Sequence, residues 1–157
     1  MSKTFIIVRG LPGSGKSTFA DLLAGETGQV FSTDNFWTEG RLFSPDLIAE
    51  AHQWNFSRTI QAFENGEPRV ILANTSTQEW EFQHYTEEAL EHGYQVHSVV
   101  VENRHGGHTI HGVPEDVVSK MEHRFEVRLN RKTKIMGEPK TFCGKVRKLM
   151  KRSNLCI

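Results

Sequence analysis

Four short apolar runs alternate with four longer stretches whose apolar residues return every three or four positions. The short runs, Thr4 to Val8, Gln29 to Ser32, Arg69 to Ala73 and Tyr94 to Val101, have the length and composition of strands. Thr4 to Val8 is apolar enough to be covered on both faces, as a central parallel strand would be. The longer stretches predict helices. One spans Ser17 to about Glu26 and packs through Phe19, Leu22 and Leu23. The next starts at Phe43-Ser44-Pro45-Asp46 and runs to about Glu64, with Leu47, Ala51, Trp54, Ile60 and Phe63 inward and His52 and Arg58 on the exposed face. A third covers Gln78 to about His92, with Trp80, Tyr85 and Leu90 inward. The last follows Pro114 to about Asn130 on a stripe of Val117, Met121, Phe125 and Leu129, with Arg124, Arg128 and Arg131 along one side. Gly28, Asn65-Gly66-Glu67-Pro68 and Gly93 punctuate these elements. Strand and helix in alternation predict an α/β fold.

At 157 residues the chain suits one domain with a single core. Its two cysteines, Cys143 and Cys156, offer neither a disulfide framework nor metal-binding spacing. There is no signal-peptide pattern and no apolar run of membrane-spanning length, so a soluble, cytoplasmic protein with no membrane partner is expected. The formal net charge of zero hides an asymmetry. Residues 131–157 hold nine Lys and Arg against one acidic residue, a surplus of eight, and residues 1–130 hold ten basic against eighteen acidic, a deficit of eight. We therefore divide the chain into a domain of residues 1–131 and a basic extension, 132–157, packed on or tethered to it. Lys145 to Lys151 reads as a short helix. A basic tail on an acidic body points to an anionic partner at that end.

The chemistry begins just past the first strand, at Gly10-Leu11-Pro12-Gly13-Ser14-Gly15-Lys16-Ser17-Thr18. This matches G-x-x-x-x-G-K-[ST] at every fixed position, between a strand and a helix as the motif requires. Gly10, Gly13 and Gly15 free the backbone to turn its N–H groups around phosphate oxygens at a helix N-terminus. Lys16 would reach the β- and γ-phosphates of ATP, and the Ser17 hydroxyl would ligate Mg²⁺. A chance glycine-rich turn would not explain the flanking strand and helix.

Three other stretches border this cradle. Residues just past strand ends face the ligand crevice of an open parallel sheet, which puts Asp34 near the phosphates. Two roles stay open for it: general base toward an acceptor hydroxyl, or a structural one, capping a turn or holding Mg²⁺ through water. The strand at 69–73 ends in Ala73 and Asn74 where many phosphate-loop enzymes carry an aspartate; Asn74 can bond a metal-bound water or the acceptor but supplies no charge. Glu102 to Pro114 has the composition of a lid, three glycines among Arg104, His105, His108 and His111. Arg104 is the candidate to stabilise charge on a transferring phosphoryl group, against the alternative of an ordinary solvated loop. A zinc site on the three histidines lacks matching cysteines or carboxylates.

Together, Gly10 to Thr18, Asp34 with Phe36, the strand 69–73 with Asn74-Thr75-Ser76, and His111-Gly112-Val113-Pro114 resemble the phage polynucleotide 5′-kinases and the small P-loop kinase-like ATPases related to them, over about residues 3 to 130. The resemblance implies a three-layer P-loop kinase-like fold with a four-stranded parallel sheet, order 2-3-1-4, between helices, and a lid after the fourth strand. It implies ATP-dependent phosphorylation of a 5′-hydroxyl on DNA or RNA, with Asp34 as base and lid cations at Arg104 and His108. The chain departs from the family pattern at Trp37, where those kinases carry an arginine, at Asn74 or Ala73, at Ser76, and at His108, which brings a pH-dependent charge to the lid. Trp37 could instead stack on a nucleobase, worth about 1 to 3 kcal/mol per base. The candidate sites are thus Lys16, Asp34, Arg104 and His108 for catalysis, Gly10 and Pro12 to Thr18 for the nucleotide, and Trp37, Arg41, Asn74 and Thr75 for the acceptor. Two rivals share this pattern: a kinase for a nucleoside or other small hydroxyl, and a slow ATPase that acts through conformation and partners.

Overall fold

Strand β1 (Thr4–Arg9) takes the centre of the sheet because Phe5, Ile7 and Val8 leave almost nothing to solvent. In the computed structural model, which describes residues 2–38, 42–108 and 112–129, β1 pairs with β3 (Arg69–Ala73) on one side and β4 (Gln95–Val100) on the other. The short β2 (Gln29–Phe31) lies beyond β3, every pairing is parallel, and the order is β2-β3-β1-β4. Alternation along the strands divides the core in two. Phe5, Ile7, Val70 and Leu72 meet helices α2 (Ile48–Glu64) and α3 (Trp80–Glu91) through Phe63, Phe82, Tyr85 and Ala89. Val8, Ile71 and Ala73 meet α1 (Lys16–Ala24) through Ala20 and Ala24, with Phe19 and Leu23 alongside. The expected α/β fold with a four-stranded sheet in the order 2-3-1-4 is the one observed.

The helices depart from the sequence expectation where rotation about the axis decides burial. In α1 the buried pair is Ala20 and Ala24, four apart, which sends Leu22 to the opposite face, 76% exposed. In α3 Phe82, Tyr85 and Ala89 point inward, so Trp80 and Leu90 lie largely in solvent. Leu47 belongs to a separate 3₁₀ turn, Pro45–Leu47, and is partly exposed. The α2 stripe contains two fully buried polar residues that periodicity passes over. Thr59 Oγ1 donates to the Asn55 carbonyl at 2.8 Å, and Asn55 Nδ2 donates to the Tyr85 hydroxyl at 3.3 Å. Burial of that phenol pushes its pKa up to about 12.

The fourth helix, α4 (Glu115–His123), is shorter than expected; Arg124, Phe125, Arg128 and Leu129 all fall beyond it. Its end has a cause: the Glu126 N–H donates to Thr77 O at 2.8 Å, and the Glu126 carbonyl accepts from Arg9, which draws the backbone out of the helical ladder. The chain divides into a unit of residues 1–126, which holds these elements, and a unit of 127–157, of which 127–129 are described. The expected tail helix at Lys145 to Lys151, Arg41, His111 and Arg131 lie outside the described residues. Among the described residues no helix is long and apolar enough to cross a membrane.

Candidate phosphate-binding site

The loop between β1 and α1 is held by its own backbone and by the neighbouring strand exits. Gly10 N–H donates to Thr75 O at 3.3 Å, and Arg9 O accepts from Val101 N–H at 2.7 Å, so the loop starts pinned between the exits of β3 and β4. A Cβ on Gly10 would come within 2.5 Å of Val101 O and 2.6 Å of Ser14 Oγ, contacts too short to exist. Gly15, at φ 87°, is left-handed and hands the chain to the first turn of α1, where Lys16, Ser17 and Thr18 lie. Lys16 Nζ donates to Leu11 O at 2.9 Å, and burial pushes its pKa down while the charge of Asp34 holds it up. A partly desolvated lysine in the first turn of a helix fits a polyphosphate, which supplies the negative charge that burial withholds. Beside the loop opens a cavity of about 330 Å³ whose lining includes Gly10, Leu11, Ser14, Val101, Asn103 and Phe125.

Asp34 occupies a 3₁₀ turn, Thr33–Trp37, immediately after β2. Two side chains hold that turn. Ser32 Oγ accepts from the Asp34 N–H at 3.2 Å, and Asn74 Oδ1 accepts from the Thr33 N–H at 2.9 Å. Ser32 therefore caps the turn, and the exposed Asp34 carboxylate is set close enough to Lys16 to act on its charge. Asn74, expected to contact acceptor or metal-bound water, here spends its oxygen on positioning the Asp34 turn. Thr75 contributes its carbonyl to Gly10. Trp37 ends the turn and is half-buried.

The segment after β4 is ordered by Asn103, whose side chain donates to Gly107 O at 2.7 Å and accepts from Gly107 N–H at 2.8 Å. Arg104 is paired with Glu102 and mostly in solvent, and His108 is also exposed. His105 is the lid side chain that lies against the loop: a Cβ on Gly15 would be 3.3 Å from its Cε1, and one on Gly107 would be 2.5 Å from its Nε2. Among the described residues no group of three or more His, Cys, Asp or Glu side chains comes together to hold a metal ion.

Arg9 was not singled out by sequence, and its burial is nearly complete, at 5% exposure. Its Nε donates to Ser76 O at 2.7 Å, while its Nη2 donates to Thr77 O at 3.3 Å and Glu126 O at 2.7 Å. The guanidinium lies 4.5 Å from the Phe82 ring centre and 5.0 Å from that of Phe125. Burial pushes its pKa down, against Glu81, Glu126 and Glu79. Thr77 Oγ1 donates to Glu81 at 2.7 Å and accepts from Arg124 Nε at 3.1 Å. Ser76, at φ 44°, is a left-handed residue with a side chain, held there by this clasp. The signal in sequence was a charge closing an apolar strand right before the phosphate loop.

A family model described as an AAA domain matches residues 5–127. The chain is 39% identical over 95 residues to human NEDD4-binding protein 2, covering 58% of this chain and 5% of that protein's length. Among solved structures it superposes on Chaetomium thermophilum Kti12 in complex with ADP-AlF3, with a TM-score of 0.57 at 15% identity over 78% of this chain and 80% of that one. It also superposes on a chain of the Pnkp1/Rnl/Hen1 complex, with a TM-score of 0.53 at 22% identity over 88% of this chain and 44% of that one. The match over residues 5–127, with the phosphate loop and sheet order just described, means that the chain belongs to the AAA domain family and has a P-loop kinase-like fold.

Proposed function

We propose that this domain is an ATP-dependent kinase that transfers the γ-phosphoryl group to a 5′-hydroxyl of DNA or RNA. The observation that carries the reading is that Asp34, on the turn after β2, lies close enough to Lys16, in the first turn of α1, for its charge to hold the lysine's pKa up. Lys16 and the loop N–H groups hold the β- and γ-phosphates, and Ser17 is the candidate Mg²⁺ ligand. Mg²⁺, when bound, neutralises charge on the phosphates. Asp34 orients the acceptor hydroxyl and takes its proton as the oxygen bonds to the γ-phosphorus; the bond to the β–γ bridging oxygen breaks, and ADP leaves. Arg104, on leaving Glu102, and His108 supply charge from the lid, with His105 already against the loop.

Transfer of label from γ-labelled ATP to 5′-hydroxyl DNA and RNA oligonucleotides tests this. Multiple-turnover labelling of a 5′ end is expected. Labelling of nucleosides alone would move the acceptor to a small molecule, and ATP hydrolysis without transfer would leave an ATPase.

The tail gives a second expectation. Replacing Lys145, Lys148 and Lys151 by Gln should weaken oligonucleotide binding at low salt and make the log affinity against log salt plot shallower, by about 0.7 per lost phosphate contact. An unchanged slope in a salt titration would remove the tail from the substrate path.

A further inference from the structure

The turn that carries Asp34 ends in an aromatic surface. Phe36, buried at 3% exposure, stands edge-on to Trp37 at 5.0 Å and to Trp54 at 5.6 Å, so the Trp37 indole is braced from the core. Phe43 also lies 5.1 Å from Trp37, tilted by 59°, and is 66% exposed. Leu42, Leu47 and Ile48 are exposed in the same short stretch. An apolar patch left in water next to a candidate reaction centre calls for a ligand.

Charge restricts what that ligand contacts. Residues 1–130 carry eight more acidic than basic residues, so the body of the domain does not attract a phosphate backbone by net charge. The contact suited to rings in such a field is a π face, and every nucleobase has one.

We propose that Trp37 and Phe43 form a stacking ledge for the unstacked base at a single-stranded 5′ end, holding that end beside Asp34. The inference rests on the nucleic-acid kinase reading and deepens it, since it names the substrate as an end whose terminal base is free of a partner strand. A blunt duplex end must first give up its own stacking and pairing to use the ledge.

Equilibrium binding to the full-length protein without ATP tests it, using 3′-labelled single strands that differ only in whether the first residue carries its base. The abasic strand is expected to bind about tenfold more weakly. Phe43→Ala and Trp37→Ala should each shrink that ratio toward one, and Trp37→Phe should keep most of it. The exposed Phe43 can be removed without touching the core, so a folding defect in Trp37→Ala leaves the test intact. Equal binding of the two strands by the wild type, a base preference that survives both alanine variants, or tighter binding of a blunt duplex than of the matching single strand would each overturn the ledge. Label transfer is read separately: its absence, with base-dependent binding retained, would fail the kinase reading and leave the ledge standing.

Discussion

Asp34→Asn is expected to slow phosphoryl transfer by about 10²- to 10⁴-fold, the range lost when a positioned general base is removed. The substitution keeps the shape of the side chain and both anchors of the turn, because the Ser32 and Asn74 bonds are made to the backbone N–H groups of Asp34 and Thr33. Thermal stability should therefore change little. ATP affinity should hold or rise slightly, since a negative charge leaves the neighbourhood of the phosphates. Lys16 loses the charge that holds its pKa up against burial, so its pKa shifts further down in the free enzyme. The measurement is single-turnover transfer to a saturating oligonucleotide, with ATP binding and melting followed on the same preparation. A variant as fast as wild type would strip Asp34 of the base role and leave it as an electrostatic partner of Lys16. Selective loss of transfer, with binding and melting unchanged, is the pattern a structural carboxylate would not give.

The layering and sheet order were legible because they depend on coarse features: apolar runs of strand length, helical recurrence between them, and a glycine-rich motif with only one structural context. The faces of helices were less so. Leu22, Trp80 and Leu90 are large and apolar, and periodicity assigned them inward, yet the inward face is set by the small pair Ala20 and Ala24 in α1 and by Phe82, Tyr85 and Ala89 in α3. Asn55 and Thr59 are polar and fully buried because they bond within α2 and to Tyr85, partners no linear pattern displays. At the site, the glycine turn that leads into α1 was legible from the motif, whereas the arrangement of the segment after β4 was not. Arg104 and His108 were the natural choices by charge, but the side chain that meets the loop is His105, brought there by the Asn103–Gly107 turn. Asn74 likewise shows its use only when β2 and β3 are side by side, since its partner is Thr33, forty-one residues away.

Arg9→Met is expected to be a strongly destabilising change, costing about 1 to 3 kcal/mol for each buried carbonyl it leaves without a donor. Methionine fills much of the same space against Phe82 and Phe125, so the loss is not chiefly one of packing. It comes from three carbonyls, those of Ser76, Thr77 and Glu126, left without the arginine, and from Glu79, Glu81 and Glu126 left without its charge. A domain of this size has roughly 5 to 15 kcal/mol of stability in all, so the variant would be marginal. Arg9→Lys should fall between, because an ammonium keeps the charge but cannot present a planar fork to carbonyls from two segments. Denaturant midpoints of the three proteins give the ordering, and wild-type-like stability of the methionine variant would mean that an apolar side chain replaces the network at no cost. Limited proteolysis adds a location. The clasp holds Ser76 in its left-handed conformation and Glu126 against Thr77, so new cleavage should appear around residues 74–77 and 124–126 before it appears in α1. Because Arg9 is also the residue from which the chain enters Gly10, loosening it frees one wall of the phosphate loop, and the same variant should bind ATP more weakly even where enough of it is folded to assay.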